Sequence, residues 1–599
     1  MRRKGFLFSL AAQSAATATT AGGARASDDA ADLIVRGATI HSVDPRRPSP
    51  EAFAVREGRF IEVGSLEAAL RHAGSRTRVL DLSGRTVLPG LIDSHLHLMG
   101  VGLDLQHVDL THAATLEEVV RRTLAYAATS PDAWLLGDGW DQNLWPGGAF
   151  PTHDSLSAVL PSRPVVLTRV DGHALLANAK AMQLAGIDAA TKEPPGGRIV
   201  HDAAGQPTGV FIDNAMLLIE RAIPAATPEQ LHRAALAAIR ECHRCGITAI
   251  GEARTSASHL AVLEKMGESG ELDLRVYAML GDDPELLGRW FAQGPRAGAY
   301  DDRLWVRAVK MYVDGALGSR GAALLAPYDD DAGNRGLLLA PQEHVRDVCV
   351  RALASGFQAC THAIGDRGNR VVLDAYEAAL AARPTHDHRF RVEHAQVLSP
   401  QDIPRFAKLG IIPSMQATHQ ISDMAWARQR LGPERVRGAY AWRSLLDTGV
   451  IIPNGTDAPV EPVNSLRTFH ASIARQDEHN LPAAGWYPEQ RMTRDEALKS
   501  MTIWGAHGTF RENVIGSIAA GKHADFVVMD RDWLAIVPED VMENIRFGNV
   551  LKRFPAPQPS GGRELPGGQH GKERIRWQKA AHGRSSPTTP GPKSLIYIG

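Results

Sequence analysis

The residues best suited to chemistry begin with two histidines in Val87-Leu-Pro-Gly-Leu-Ile-Asp-Ser-His-Leu-His-Leu98. Side chains alternate along a strand, so His95 and His97 project to one face, where two imidazoles can share a metal ion. Alone, the pair is a weak signal, because such histidines also occur in cores and on surfaces. Four more segments that read as strand ends add donors: Val309-Lys-Met-Tyr-Val-Asp-Gly, Cys360-Thr-His-Ala-Ile-Gly-Asp366, Val392-Glu-His-Ala-Gln and Pro453-Asn-Gly-Thr-Asp-Ala-Pro459. Singly, Lys310, His362, His394 and Asp457 each have an ordinary structural explanation. In this order at successive strand ends, they form the ligand set of a binuclear hydrolytic site.

Such a site needs a scaffold that ends several strands at one mouth. Apolar strands alternate here with Ala-, Leu- and Arg-rich helical stretches, the pattern of a parallel sheet closed by crossover helices. Strands are expected to end at Asp93, Gly137, Arg169, Gly251, Leu280, Asp314, His362, His394, Ser414 and Asp457. An α/β (β/α)8 TIM barrel uses eight, so two are surplus. The surplus strands are placed at Trp134-Leu-Leu-Gly-Asp-Gly and Val165-Val-Leu-Thr-Arg, in an insertion over about 102–233 of a barrel spanning 89–510. Short alternating strands at 32–88, and a similar pattern within 511–545, predict a small β-sandwich built from both termini.

Lys+Arg number 66 against 67 Asp+Glu, a net charge of -1, so no overall field draws the chain to nucleic acid or an anionic membrane. A small-molecule substrate is expected; a homo-oligomer is compatible with the composition. Four cysteines in 599 residues make no disulfide framework. The close pair Cys242 and Cys245 reads as buried helix surface, since no second pair supplies a zinc site. Residues 1–26 read as a signal peptide, with Arg2-Arg3 before Phe6-Leu7 and a small-residue stretch ending Ala24-Arg-Ala26. The expectation is export to the periplasm or outside the cell by a twin-arginine route, with an ordinary secretory signal as the alternative. No other run reaches the length of a spanning helix, so no membrane is expected for the mature form. Residues 555–599, rich in Gly, Pro, Ser, Lys and Arg, are expected to be disordered.

The motifs together resemble the amidohydrolase superfamily, within it the amidohydrolase family 3 branch that includes N-substituted formamide deformylases. The resemblance runs from about Asp32 to Asp530. It implies the barrel and sandwich, and one or two divalent metal ions, zinc first. His95 and His97 would hold the more buried metal with Asp457; His362 and His394 would hold the second. Lys310 would bridge them as a carbamate, because a free ammonium cannot bind a cation. Ala308, on the same face as Lys310, leaves room for that group. The implied reaction is hydrolysis of a carbon–nitrogen bond other than a peptide bond, in an amide or an N-acyl or N-formyl amine. Metal-activated water attacks, and Asp457 is the catalytic proton carrier. Asp366 or Glu393 would orient histidines. Trp140, His173 and Arg320 are candidate substrate-binding residues, with stabilisation of the insertion an equal explanation for the first two. Two other readings stay open: a lactone or phosphoester hydrolase of the same fold, and a noncatalytic binding protein. Relatives end in an apolar strand, whereas Arg546-Phe-Gly-Asn-Val-Leu-Lys-Arg-Phe-Pro follows here, so the last strand is expected to be missing or altered.

Overall fold

A computed structural model describes residues 29–170, 172–194, 197–538, 541 and 550–553. The expected signal segment and the expected disordered tail lie outside the described residues.

Leu33–Arg36, Ala52–Arg56, Arg59–Gly64 and Arg78–Asp81 make one four-stranded sheet. Thr39–Ile40, Thr86–Pro89, Phe526–Met529 and Val550–Arg553 make another. Alternation sends Val35, Phe53, Val55, Phe60, Val87, Phe526 and Val528 into one shared apolar core. Phe53 meets Phe60 and Phe526 edge-on, with ring centres 5.1 and 5.2 Å apart. The sandwich thus ties residues near the two ends of the described chain. Its last strand is present: Val550–Arg553 pairs antiparallel with Phe526–Met529, so the C-terminal share extends beyond the expected limit at 545.

The barrel ladder runs in sequence order through β1 (Leu91–Leu96), β2 (Ile247–Thr255), β3 (Arg275–Gly281), β4 (Leu304–Tyr312), β5 (Gln358–Ala363), β6 (Arg391–His394) and β7 (Ile412–Ser414), all parallel. The eighth place, where a strand ending at Asp457 was expected, holds an irregular segment. Met415 N donates to Pro453 O at 3.0 Å, Ser94 N to Asn454 O at 2.9 Å and Asp457 N to His95 O at 2.7 Å, which closes the ring. Gly455 permits this approach, since a Cβ there would stand 2.6 Å from His95 N. On β4, Ala308 joins Tyr277, Met279 and Cys360 in one apolar cluster, while Val309 and Met311 belong to the large core shared with helices.

Both surplus strands lie outside the barrel. Leu135–Trp140 and Val165–Arg169 pair in parallel within a six-stranded sheet inserted between β1 and β2. Helix Pro228–Arg244 returns the chain to the barrel. Thr227 and Gln230 form a capping box, and Leu231, Ala234, Ala235, Ala238, Ile239 and Cys242 bury one face. Helix Leu98–Asp104, which starts directly after His97, packs its backbone on this helix, because a Cβ on Gly102 would meet Ala234 O at 2.0 Å. Cys242 and Cys245 are buried free thiols, and burial pushes Cys245 up to about 12. No helix among the described residues is long and apolar enough to cross a membrane.

Candidate metal centre

The C-terminal ends of β1, β4, β5 and β6 and the segment closing the ring bring together all six metal-binding candidates. Asp457 Oδ1 lies 3.3 Å from His95 Nε2 and 3.2 Å from His97 Nε2. Lys310 Nζ lies 3.3 Å from His95 Nε2. The His394 ring centre is 5.1 Å from that of His95 and 4.5 Å from that of His362. Ligand atoms of His95, His394 and Asp457 all fall within 4.8 Å of one another. His362 Nε2 is buried with no hydrogen-bond partner, and the nearby Asp314 carboxylate is 3.7 Å away.

Three of these histidines, His95, His97 and His394, are prepared to bind a cation through Nε2. The His97 Nδ1–H donates to Ala253 O at 2.8 Å, and the His394 Nδ1–H donates to Gln416 Oε1 at 2.7 Å. His95 Nδ1 meets Glu393 Oε2 at 2.5 Å. An oxygen acceptor at Nδ1 fixes the tautomer that leaves the Nε2 lone pair toward the cluster. Buried imidazoles, one carboxylate and orphaned ring nitrogen therefore fit a divalent metal of borderline softness.

Glu393 and His394 are chain neighbours, and strict alternation would send only one of them into the site. His394 has φ 73 and the following Ala395 φ 43, so the strand ends in left-handed turns that swing the imidazole inward after Glu393 has already faced the interior. Asp457 shares this conformation, at φ 58. Strain of this kind at non-glycine residues is held in place by the surrounding packing.

Around the cluster, burial and charge set each group. Burial raises Glu393, but Arg391 first and then His95 outweigh it and hold the carboxylate well below its ordinary range. Arg391 Nε donates to Glu393 Oε1 at 2.7 Å, and Nη2 donates to Ser94 O and Ser414 Oγ, both at 2.8 Å. Burial also raises Asp457, yet contacts with His95 and His97 keep it strongly acidic. Burial pushes His362 down to about 3, reinforced by Lys310. Glu252 is pushed up to about 8 by burial; it accepts Leu98 N at 2.5 Å. Asp314 is pushed up to about 7 by burial, and it accepts backbone N–H groups of Ala323, Ile364 and Gly365, tying the loops after β4 and β5 together.

Of the two carboxylates expected to orient histidines, Glu393 does so and Asp366 does not: Asp366 accepts the backbone N–H of Leu325 and of Arg367. The candidate substrate residues are each engaged with other groups of the chain. Trp140 is fully buried in the insertion core, donating to Leu167 O at 2.7 Å and stacking on Trp145, so it offers no wall to a ligand. His173 pairs with Asp213 at 2.9 Å on the insertion surface. Arg320 makes a two-pronged ion pair with Asp330, at 3.1 and 3.0 Å.

Three residues at the cluster escaped the sequence reading. Tyr312, two positions after Lys310 on β4, places its ring centre 4.4 Å from Lys310 Nζ and 5.1 Å from the His362 ring. Gln416 and His419 follow the end of β7 at Ser414. A polar run directly after a barrel strand was the available signal. A cavity of about 1000 Å³ lies elsewhere, at the seam of sandwich and barrel between His41, Pro48, Ile451, Trp504 and Leu534; none of the six metal candidates lines it.

The model of the amidohydrolase family matches residues 78–550. The putative amidohydrolase YtcJ of Bacillus subtilis is 32% identical, over 84% of this chain and 95% of that protein. An N-substituted formamide deformylase of Arthrobacter pascens is 29% identical, over 84% of this chain and 94% of its own. The crystal structure of an uncharacterized metal-dependent hydrolase from Pyrococcus horikoshii superposes with a TM-score of 0.72 at 26% identity, covering 84% of this chain and 99% of that one. With the histidine cluster at its barrel mouth, this chain is a metal-dependent hydrolase and belongs to the amidohydrolase family.

Proposed function

We propose that the protein hydrolyses a non-peptide carbon–nitrogen bond of a small amide, an N-acyl or N-formyl amine. The observation that carries this reading is the position of Asp457, whose Oδ1 contacts His95 and His97 while Oδ2 faces away from them, toward His419. The similarity to a formamide deformylase supports the bond type.

His95, His97 and Asp457 would hold one divalent ion, zinc by donor type, and His362 and His394 a second, with Lys310 bridging as its carbamate. When bound, the ions acidify water and polarise the acyl oxygen. Asp457 accepts the proton of the attacking water and returns it to the leaving nitrogen as the C–N bond breaks, giving a carboxylic acid and an amine. Its lowered pKa keeps the carboxylate ionised. Glu393 holds the His95 ring, and Ala253 O that of His97. Lys310 is buried beside His95, which places its amine at the cluster for reaction with carbon dioxide. The basic and small-residue N-terminal segment supports export to the periplasm or beyond, which deleting residues 1–26 should abolish.

The test is turnover of N-formyl amines, N-acyl amines, lactones and phosphotriesters by metal-loaded protein. Preferred cleavage of an N-formyl or N-acyl amine, lost on chelation and restored by zinc, supports the reading; preference for an ester bond overturns it.

A further inference from the structure

The ring of His419 is the one imidazole at the cluster for which the reaction above has no task. It sits on helix Ala417–Asp423 after β7, stacked on His394 with ring centres 5.7 Å apart and planes at 13°. Its Nε2 is buried, has no hydrogen-bond partner, and lies 3.6 Å from Asp457 Oδ2. That separation exceeds an N–H···O bond, so the donor is not spent on Asp457. A buried ring nitrogen left unpaired is costly and calls for a partner.

The helix that carries it is held at both ends. Ala417 N donates to Asn454 Oδ1 at 3.1 Å, and Asp423 Oδ2 accepts from Gln396 Nε2 at 3.0 Å and from the Tyr440 hydroxyl. Gln416, next to the helix, is already engaged with His394 Nδ1. His419 is therefore fixed in place before any ligand arrives, as a preorganised donor must be.

Resting on the amide reading above, we propose that His419 is a catalytic residue whose Nε2–H donates a hydrogen bond to the acyl oxygen of the substrate. In an amide the oxygen and nitrogen share one carbon and stand about 2.2 Å apart by standard bond lengths. A substrate whose nitrogen reaches Asp457 Oδ2 thus has its oxygen within range of a donor beside that same atom. The hydrogen bond strengthens as water adds and negative charge builds on the oxygen, so it acts on the transition state more than on substrate binding. No proton leaves His419: the water proton still travels by way of Asp457 to the nitrogen.

The experiment compares full-length wild type, His419→Ala and His419→Gln, all metal-loaded, on the amide the wild type cleaves fastest. Elemental analysis runs alongside, with calorimetric titration of an N-substituted phosphonamidate whose anionic oxygen mimics the tetrahedral species. His419→Ala is expected to lower kcat by about 10²-fold or more, with KM changed by less than about threefold and metal content unchanged. Glutamine keeps an N–H donor and should recover at least about tenfold of that loss, with phosphonamidate affinity following kcat. An unchanged kcat, or a fall explained by lost metal, overturns the proposal. If the wild type cleaves no amide, the reaction assignment fails by itself. The titration then still decides the role of His419: weaker binding by the alanine variant supports it, and equal binding, or none by either protein, overturns it.

Discussion

Glu393 Oε2 stands 2.5 Å from Nδ1 of His95, with both side chains wholly shielded from solvent. The same carboxylate neutralises Arg391, so one acidic group orients a candidate metal-binding imidazole and compensates a buried guanidinium. Glu393→Ala should weaken metal binding by about 10- to 100-fold. It should also destabilise the fold by about 3–5 kcal/mol, because Arg391 loses its counter-charge. Chelator competition and denaturant unfolding check the two effects separately, and unchanged metal affinity would remove the orienting role.

Lys310 lies between His95 and the ring of Tyr312. If it carries the bridging carbamate, Lys310→Ala should reduce metal from about two ions per chain to about one. Reconstitution of the wild type should then depend on added bicarbonate. Elemental analysis with and without bicarbonate distinguishes this from a lysine that only packs.

Far from the cluster, Arg389 clasps Glu512 at 2.8 and 2.9 Å. Burial raises Glu512, but His507 and Arg389 together bring it down to about 2. A carboxyl whose folded pKa is depressed stabilises the fold fully above its unfolded value, ordinarily near 4.5, and loses that contribution as pH falls toward 2. Glu512→Gln should therefore cost on the order of 2 kcal/mol at neutral pH and flatten the stability curve in that window. Urea melts between pH 7 and 2.5 measure the slope; parallel curves for both proteins would contradict the assignment.

Trp140 fills the insertion core and has no exposed surface. Trp140→Ala should cost about 3–5 kcal/mol of stability through the cavity it leaves. Metal content should remain unchanged. A variant of normal stability with altered KM would return Trp140 to the substrate site.

The order of ligand types along the chain was legible because barrel enzymes place their reactive groups at strand ends, and period-two alternation located those ends. His95 and His97 share a face for that reason alone, and the surplus of two strands followed from counting apolar runs. Alternation also put Lys310 and Ala308 on one face.

What lay beyond the sequence involved contacts between distant residues or local departures from ideal geometry. Glu393 reaches His95 across 298 positions. His394 enters the site through a left-handed backbone that no periodicity encodes, and an irregular segment against Gly455 takes the place of the expected eighth strand. Trp140 and Arg320 looked available as isolated letters; only packing could show that Trp140 is core and that Arg320 is committed to Asp330. The sequence by itself determined the fold class and the candidate metal donors, because both follow from local periodicity and residue chemistry. The tertiary structure decided which groups orient those donors and left His419 Nε2 without a partner, because hydrogen-bond satisfaction depends on which parts of the chain meet in space.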